Sequence, residues 1–263
     1  MNTSLTRRLF IHTVCAATLC GVSSSFAAED ARTFELRIYT THEGKLPDLL
    51  SRFRDHTCQL FEKHGMENIG YWVPIEKDDG ADNTLLYIIS HKSRDAAKAS
   101  WSAFSKDPEW QAAAKASEVN GKILAKKPES IFLKATDYSC PIQPGLGKAE
   151  RVFEMRTYTT PEGKLDALHK RFRDHTTGLF TKHGITNIGY WTPTDAEQDA
   201  ATKLIYVISH PSKEAGLKSF AQFKADPDWI AAKKESEKGG PLTLQPNGVK
   251  SIYMKATDFS PIR

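Results

Sequence analysis

Glu35, Arg37 and Tyr39 alternate along one stretch of the chain, and Glu154, Arg156 and Tyr158 repeat the arrangement farther on. Residues two apart share one face of a β-strand, so each trio sets a carboxylate, a guanidinium and a phenol side by side. Two kinds of chemistry are open to such a face. Acid and base can neutralise each other as a buried ion pair that ties structural layers together. Alternatively, Arg37 and Arg156 can anchor an anionic or carbonyl-bearing ligand while Tyr39 and Tyr158 donate hydrogen bonds to it.

Histidines give a second set of candidates. His56, His64 and His91 recur as His175, His183 and His210. His56 follows Phe53 by three positions and precedes Leu60 by four, which on a regular α-helix places it beside the apolar stripe. His56 and His175 are therefore candidates for a general base or a haem or metal ligand, next to the simpler role of a core histidine bonded to backbone. His91 and His210 end strands with the parity of Tyr87 and Tyr206, so these four are further candidates to line a cavity. Trp72 and Trp191 can stack on a planar ligand or fill a core.

Other chemistries lack their signatures. The chain has no HExxH, no cysteine pair at zinc spacing and no glycine-rich loop following a strand, so metal hydrolysis and nucleotide binding find no support. The net charge of +4 is spread along the 263 residues, without the basic runs interleaved with aromatics that nucleic-acid binding needs. A 40% hydrophobic fraction is enough for a buried core.

The amino terminus has a separate logic. Arg7-Arg8 precedes an apolar stretch reaching about Val22, and Ser25-Phe26-Ala27 offers small residues at a cleavage point. This resembles a twin-arginine signal peptide over residues 1–27, and it implies export to a bacterial periplasm and no stable membrane span after cleavage. Cleavage would leave Cys58 and Cys140, a pair expected to stay unlinked.

The elements that must position these residues come twice. Phe34-Glu35-Leu36-Arg37, Arg52-Phe53-Arg54-Asp55-His56-Thr57, Asn68-Ile69-Gly70-Tyr71-Trp72 and Asp107-Pro108-Glu109-Trp110 all recur at the constant offset that carries Arg37 to Arg156. Ser130-Ile131-Phe132 recurs as Ser251-Ile252-Tyr253. We therefore read one domain at 32–139, a linker at 140–149 containing Pro144-Gly145-Leu146-Gly147, and a second copy at 150–263. Alternating apolar residues predict strands at 34–40, 68–73, 85–91 and 131–133. Helical spacing predicts helices at 45–64, 93–104 and 109–118. The order βαββαβ is that of a ferredoxin-like unit, with helices on one sheet face and the other face free to pair.

The Phe-Glu-Leu-Arg-x-Tyr strand, the Gly-Lys-Leu helix start and the Asn-Ile-Gly-Tyr-Trp strand, each present in both copies but for Met155 in place of Leu36, resemble the NIPSNAP family of the dimeric α+β-barrel superfamily. The resemblance implies an α+β fold in which two tandem ferredoxin-like units pair face to face as one intrachain barrel. Relatives in the superfamily include cofactor-free monooxygenases, isomerases and haem enzymes that place small ligands between sheet and helices. It implies a small-molecule partner, no nucleic acid, and no cofactor unless haem; further self-association stays open. A scaffold whose barrel is filled by its own side chains is the alternative. If the apolar residues Phe34, Leu36 and Ile38 meet the helices, then Glu35, Arg37 and Tyr39 look into the barrel, and with them the ligand site.

Overall fold

The computed structural model describes residues 30–142 and 150–263. The expected signal peptide and the glycine-rich part of the linker lie outside the described residues.

The first unit runs β1 (Thr33–Thr40), α1 (Leu46–Arg52), a π-turn (Phe53–Thr57), α2 (Cys58–Lys63), β2 (Glu67–Pro74), β3 (Thr84–His91), α3 (Arg94–Lys106), α4 (Pro108–Ser117) and β4 (Glu129–Ala135). The second repeats it as β5 (Val152–Thr159), α5 (Leu165–Arg171), a π-turn (Phe172–Thr176), α6 (Thr177–Lys182), β6 (Thr186–Pro193), β7 (Lys203–His210), α7 (Lys213–Ala225), α8 (Pro227–Ser236) and β8 (Val249–Ala256). Sequence sets these boundaries through ordinary capping. Ser93 accepts from the Ala96 amide to start α3, and Asp107 accepts from the Glu109 amide with Pro108 at the first helical position of α4, as short polar caps do. Gly65, at φ +77, occupies the left-handed position that ends α2 at little steric cost.

All eight strands close into one antiparallel barrel in the order β1-β3-β2-β8-β5-β7-β6-β4. Each unit contributes four neighbouring strands, and the two sheets join where β2 meets β8 and β4 meets β6. The expected pairing of two ferredoxin-like units within one chain is thus the architecture observed.

The barrel is packed by its own side chains. Phe34, Leu36, Trp72, Phe153, Met155 and Trp191 belong to one buried cluster drawn from both units. The indole of Trp72 lies 5.8 Å from the Phe153 ring, and that of Trp191 5.8 Å from Phe34, so each unit's tryptophan packs on the other unit's phenylalanine. Gly70 makes room for this: a Cβ there would stand 2.2 Å from Trp72, and one at Gly189 would stand 2.3 Å from Trp191. The Asn-Ile-Gly-Tyr-Trp motif thereby shapes the core. Its Asn68 side chain also donates to the Cys58 carbonyl at 2.9 Å across a bulge in the strand.

A second apolar layer lies between each sheet and its helices, with Leu49, Phe53, Phe61, Tyr71 and Tyr87 in the first unit and Leu168, Phe172, Phe180, Tyr190 and Tyr206 in the second. Segments following β4 and β8 cross over to seal the opposite unit. Phe259 packs on Phe53 and Tyr71, while Tyr138 packs on Phe172 and Tyr190. Paired charges fasten them, Arg54 to Asp258 and Arg173 to Asp137, each at 2.7 Å. Cys58 and Cys140 are both free thiols.

Candidate functional site

The alternation in β1 separates two faces, but the outcome is the reverse of the expected one. Phe34 and Leu36 point into the barrel, whereas Tyr39 and Tyr87 belong to the layer beneath the helices. Glu35 and Arg37 share that outer parity and bond to Trp101 of α3 and Ser130 of β4. The charged face therefore lies between sheet and helices. Alternation could not reveal this, because both faces of the sheet are buried.

This correction splits the sequence-derived candidates. Trp72 and Trp191 belong to the barrel interior, where both indole N–H groups lack a partner among the described residues. Glu35, Arg37, Tyr39 and Tyr87, with their counterparts Glu154, Arg156, Tyr158 and Tyr206, form one cluster per unit outside it.

His56 and His175 are also corrected. Both are exposed, because the helix does not keep its α register there. The Cys58 amide bonds back to the Phe53 carbonyl and the Thr57 hydroxyl to that of Arg52, inserting a π-turn that carries one residue more per turn. The buried side chain is then Thr57, and His56 turns outward. His64 and His183 bond to the capping residues Asp107 and Asp226 at 2.7 and 2.6 Å.

In the first unit every acceptor of Glu35 is used. Oε1 accepts from Arg37 at 2.8 Å and Ser130 at 2.6 Å; Oε2 accepts from His91 Nε2 at 3.0 Å and Trp101 Nε1 at 2.7 Å. Glu35 is 1% exposed. Burial alone would raise its pKa, yet the His91 bond, the Arg37 charge and the Ser130 hydroxyl together bring it down to about 2. An ionised carboxylate only accepts, so His91 Nε2 carries the proton. Its Nδ1 is buried without a partner among the described residues.

Arg37 reaches toward solvent, with 16% of its side chain exposed, and Trp101 and Ser130 are likewise only half-buried. The Arg37 guanidinium lies 4.4 Å from the Trp101 ring and 5.5 Å from that of Tyr39, and its buried Nε has no partner among the described residues. Among the described residues the fully buried Tyr87 hydroxyl also lacks a partner at hydrogen-bonding geometry, and burial pushes its pKa well above the usual tyrosine value. The second unit repeats the cluster. Glu154 accepts from Arg156, Ser251 and His210, Arg156 is again 16% exposed, and Arg156 Nε and the Tyr206 hydroxyl are again unpartnered among the described residues. Ser130, Ser251 and Trp101 were missed as site residues, although recurrence of the Ser-Ile-aromatic triplet marked the two serines.

Among the described residues no group of histidine, cysteine and acidic side chains is arranged to hold a metal, and no helix is long and apolar enough to cross a membrane.

The NIPSNAP family model matches residues 34–140 and again 153–261. The chain belongs to the NIPSNAP family. Solved structures with the same fold include a candidate monooxygenase from Fusobacterium nucleatum subsp. nucleatum, 11% identical, covering 86% of this NIPSNAP chain and 92% of its own, with a TM-score of 0.55. A candidate monooxygenase from Lactobacillus acidophilus is 11% identical, covers 88% and 98%, and gives 0.51. An anthrone oxidase-like protein is 13% identical, covers 89% and 94%, and gives 0.53. At these identities the likeness is one of fold. No curated protein matches the chain significantly.

Proposed function

We propose that this NIPSNAP protein binds a small, planar, carbonyl-bearing or hydroxyl-bearing molecule in each unit, between sheet and helices, with Arg37 and Arg156 as the groups that meet it. The observation that carries the reading is the arginine itself. It is held by Glu35 and an aromatic ring, its side chain is partly open to solvent, and its buried Nε–H has no partner among the described residues. A guanidinium so fixed is pre-organised for an anionic or carbonyl oxygen. Monooxygenase-like and anthrone oxidase-like neighbours are consistent with a planar aromatic ketone or phenol as the ligand class.

Haem is not part of this reading. His56 and His175 stand on exposed helix faces, and His91 and His210 are sealed against Glu35 and Glu154. Export remains a proposal resting on Arg7-Arg8 and Ser25-Phe26-Ala27; amino-terminal sequencing of extracytoplasmic protein should find a start at or next to Ala28.

Calorimetric titration with anthrone as probe tests the binding reading. Replacing Arg37 and Arg156 together by lysine keeps the charge beside each glutamate but removes the planar fork. Binding to the wild type, weakened about tenfold or more in the double variant at unchanged fold, is the expected result. A scaffold role is favoured by the filled barrel, and absence of anthrone binding to the wild type would support it instead.

A further inference from the structure

Among the differences between the two clusters, two lie beside the glutamate. In the first unit α3 supplies Trp101 and β4 supplies Phe132; in the second α7 supplies Phe220 and β8 supplies Tyr253. The exchange moves the neutral hydrogen-bond donor from helix to strand. Trp101 spends its N–H on Glu35, whose Oε2 thereby accepts from two donors. Among the described residues Glu154 Oε2 accepts from His210 alone, at 3.0 Å, and so retains a lone pair that none of them fills. Tyr253 stands directly opposite Glu154 in the β5–β8 register and is half-buried. Its hydroxyl bonds to none of the described residues. Both strand rings carry a cation: Arg94 lies 3.4 Å over Phe132 and pairs with Asp195, and Lys213 lies 5.2 Å over Tyr253 and pairs with Glu76.

We infer that the second site selects its ligand by a hydroxyl group, which donates to Glu154 Oε2 and accepts from the Tyr253 phenol beside Arg156, while the first site, already satisfied by Trp101, does not. The inference rests on the small-molecule reading above and adds what distinguishes the two sites. Phe220, a smaller ring than the indole it replaces, is the side chain that gives way to admit the hydroxyl. A buried acceptor and an open donor on either side of one ligand oxygen discriminate strongly, because the analogue lacking the hydroxyl leaves both unpaired.

The test is calorimetry with 2-naphthol and its O-methyl ether, which share a ring system and differ in the donor. 2-Naphthol is expected to bind the second site about tenfold or more tightly than the ether does. Phe220→Trp should abolish that preference by refilling the lone pair of Glu154. Tyr253→Phe, which deletes one oxygen and disturbs packing little, should weaken 2-naphthol about tenfold while leaving the ether unchanged. Trp101→Phe combined with Phe132→Tyr should install the same preference at the first site. Equal binding of naphthol and ether, or binding that ignores both Tyr253→Phe and Phe220→Trp, would overturn the inference; if it still fell in the lysine variants of Arg37 and Arg156, the small-molecule reading would survive. Absence of binding by either probe would overturn the inference, and anthrone would then decide the broader reading.

Discussion

His91 and Glu35 meet at 3.0 Å with both side chains sealed from solvent, at 0% and 1% exposure. The imidazole donates, the carboxylate accepts, and the pair pins the end of β3 near the start of β1. Truncating His91 to alanine removes a charge-assisted bond and opens a cavity in a closed layer, so a loss of about 2–4 kcal/mol is expected. His56→Ala, on the exposed side of the π-turn, should change stability by less than about 0.5 kcal/mol. Urea unfolding of the two variants compares them, and equal losses would contradict the placement of either residue.

Glu35 should make folding depend on acidity. Its carboxyl is depressed from the ordinary 4.5 to about 2 in the folded chain, so its stabilisation is fully present above the unfolded value. It is lost as pH falls from about 4.5 toward 2, and it is worth about 3 kcal/mol at neutrality. Carbon-13 titration of the Glu35 carboxyl reads the folded midpoint directly. Trp101→Phe removes one donor to the charged form and should raise that midpoint. A wild-type midpoint above 4 would be inconsistent with the four-donor geometry.

Arg37→Ala should destabilise the protein by about 2–4 kcal/mol, because a buried carboxylate loses its guanidinium partner while keeping three other donors. Adding Glu35→Gln to that variant should cost less than the sum of the two single changes. A double-mutant cycle measures the coupling, and strict additivity would mean that the pair contributes nothing to the layer.

Gly70→Ala tests the filled barrel. The added methyl has no space beside the Trp72 indole, and displacing that ring from its contact with Phe153 should cost about 1–3 kcal/mol. Thermal unfolding should show the loss with ligand affinity intact. A neutral substitution would mean that the barrel interior has room to spare.

The fold was legible because local signals agree with one another. Strand alternation, Ser93 and Asp107 as caps, and the repetition of every motif at one offset all point to two βαββαβ units, and such units have one free sheet face to pair. The location of the site was not legible. Phe34-Glu35-Leu36-Arg37 shows that the two faces of β1 differ, but in a closed barrel wrapped by helices each face meets a buried layer. A carboxylate with four donors, as Glu35 has, is as compatible with burial as a leucine. His56 failed for a different reason. Spacing arguments assume 3.6 residues per turn, and nothing in Arg-Phe-Arg-Asp-His-Thr announces a π-turn. The partners Ser130 and Trp101 come from elements distant in sequence, which strand parity does not bring together.

A crystal structure of the wild-type protein soaked with anthrone locates the ligand directly. Density between sheet and helices, with the anthrone carbonyl on the guanidinium of Arg37 or Arg156, is the predicted result. Density inside the barrel against the unpartnered indoles of Trp72 and Trp191 would contradict it.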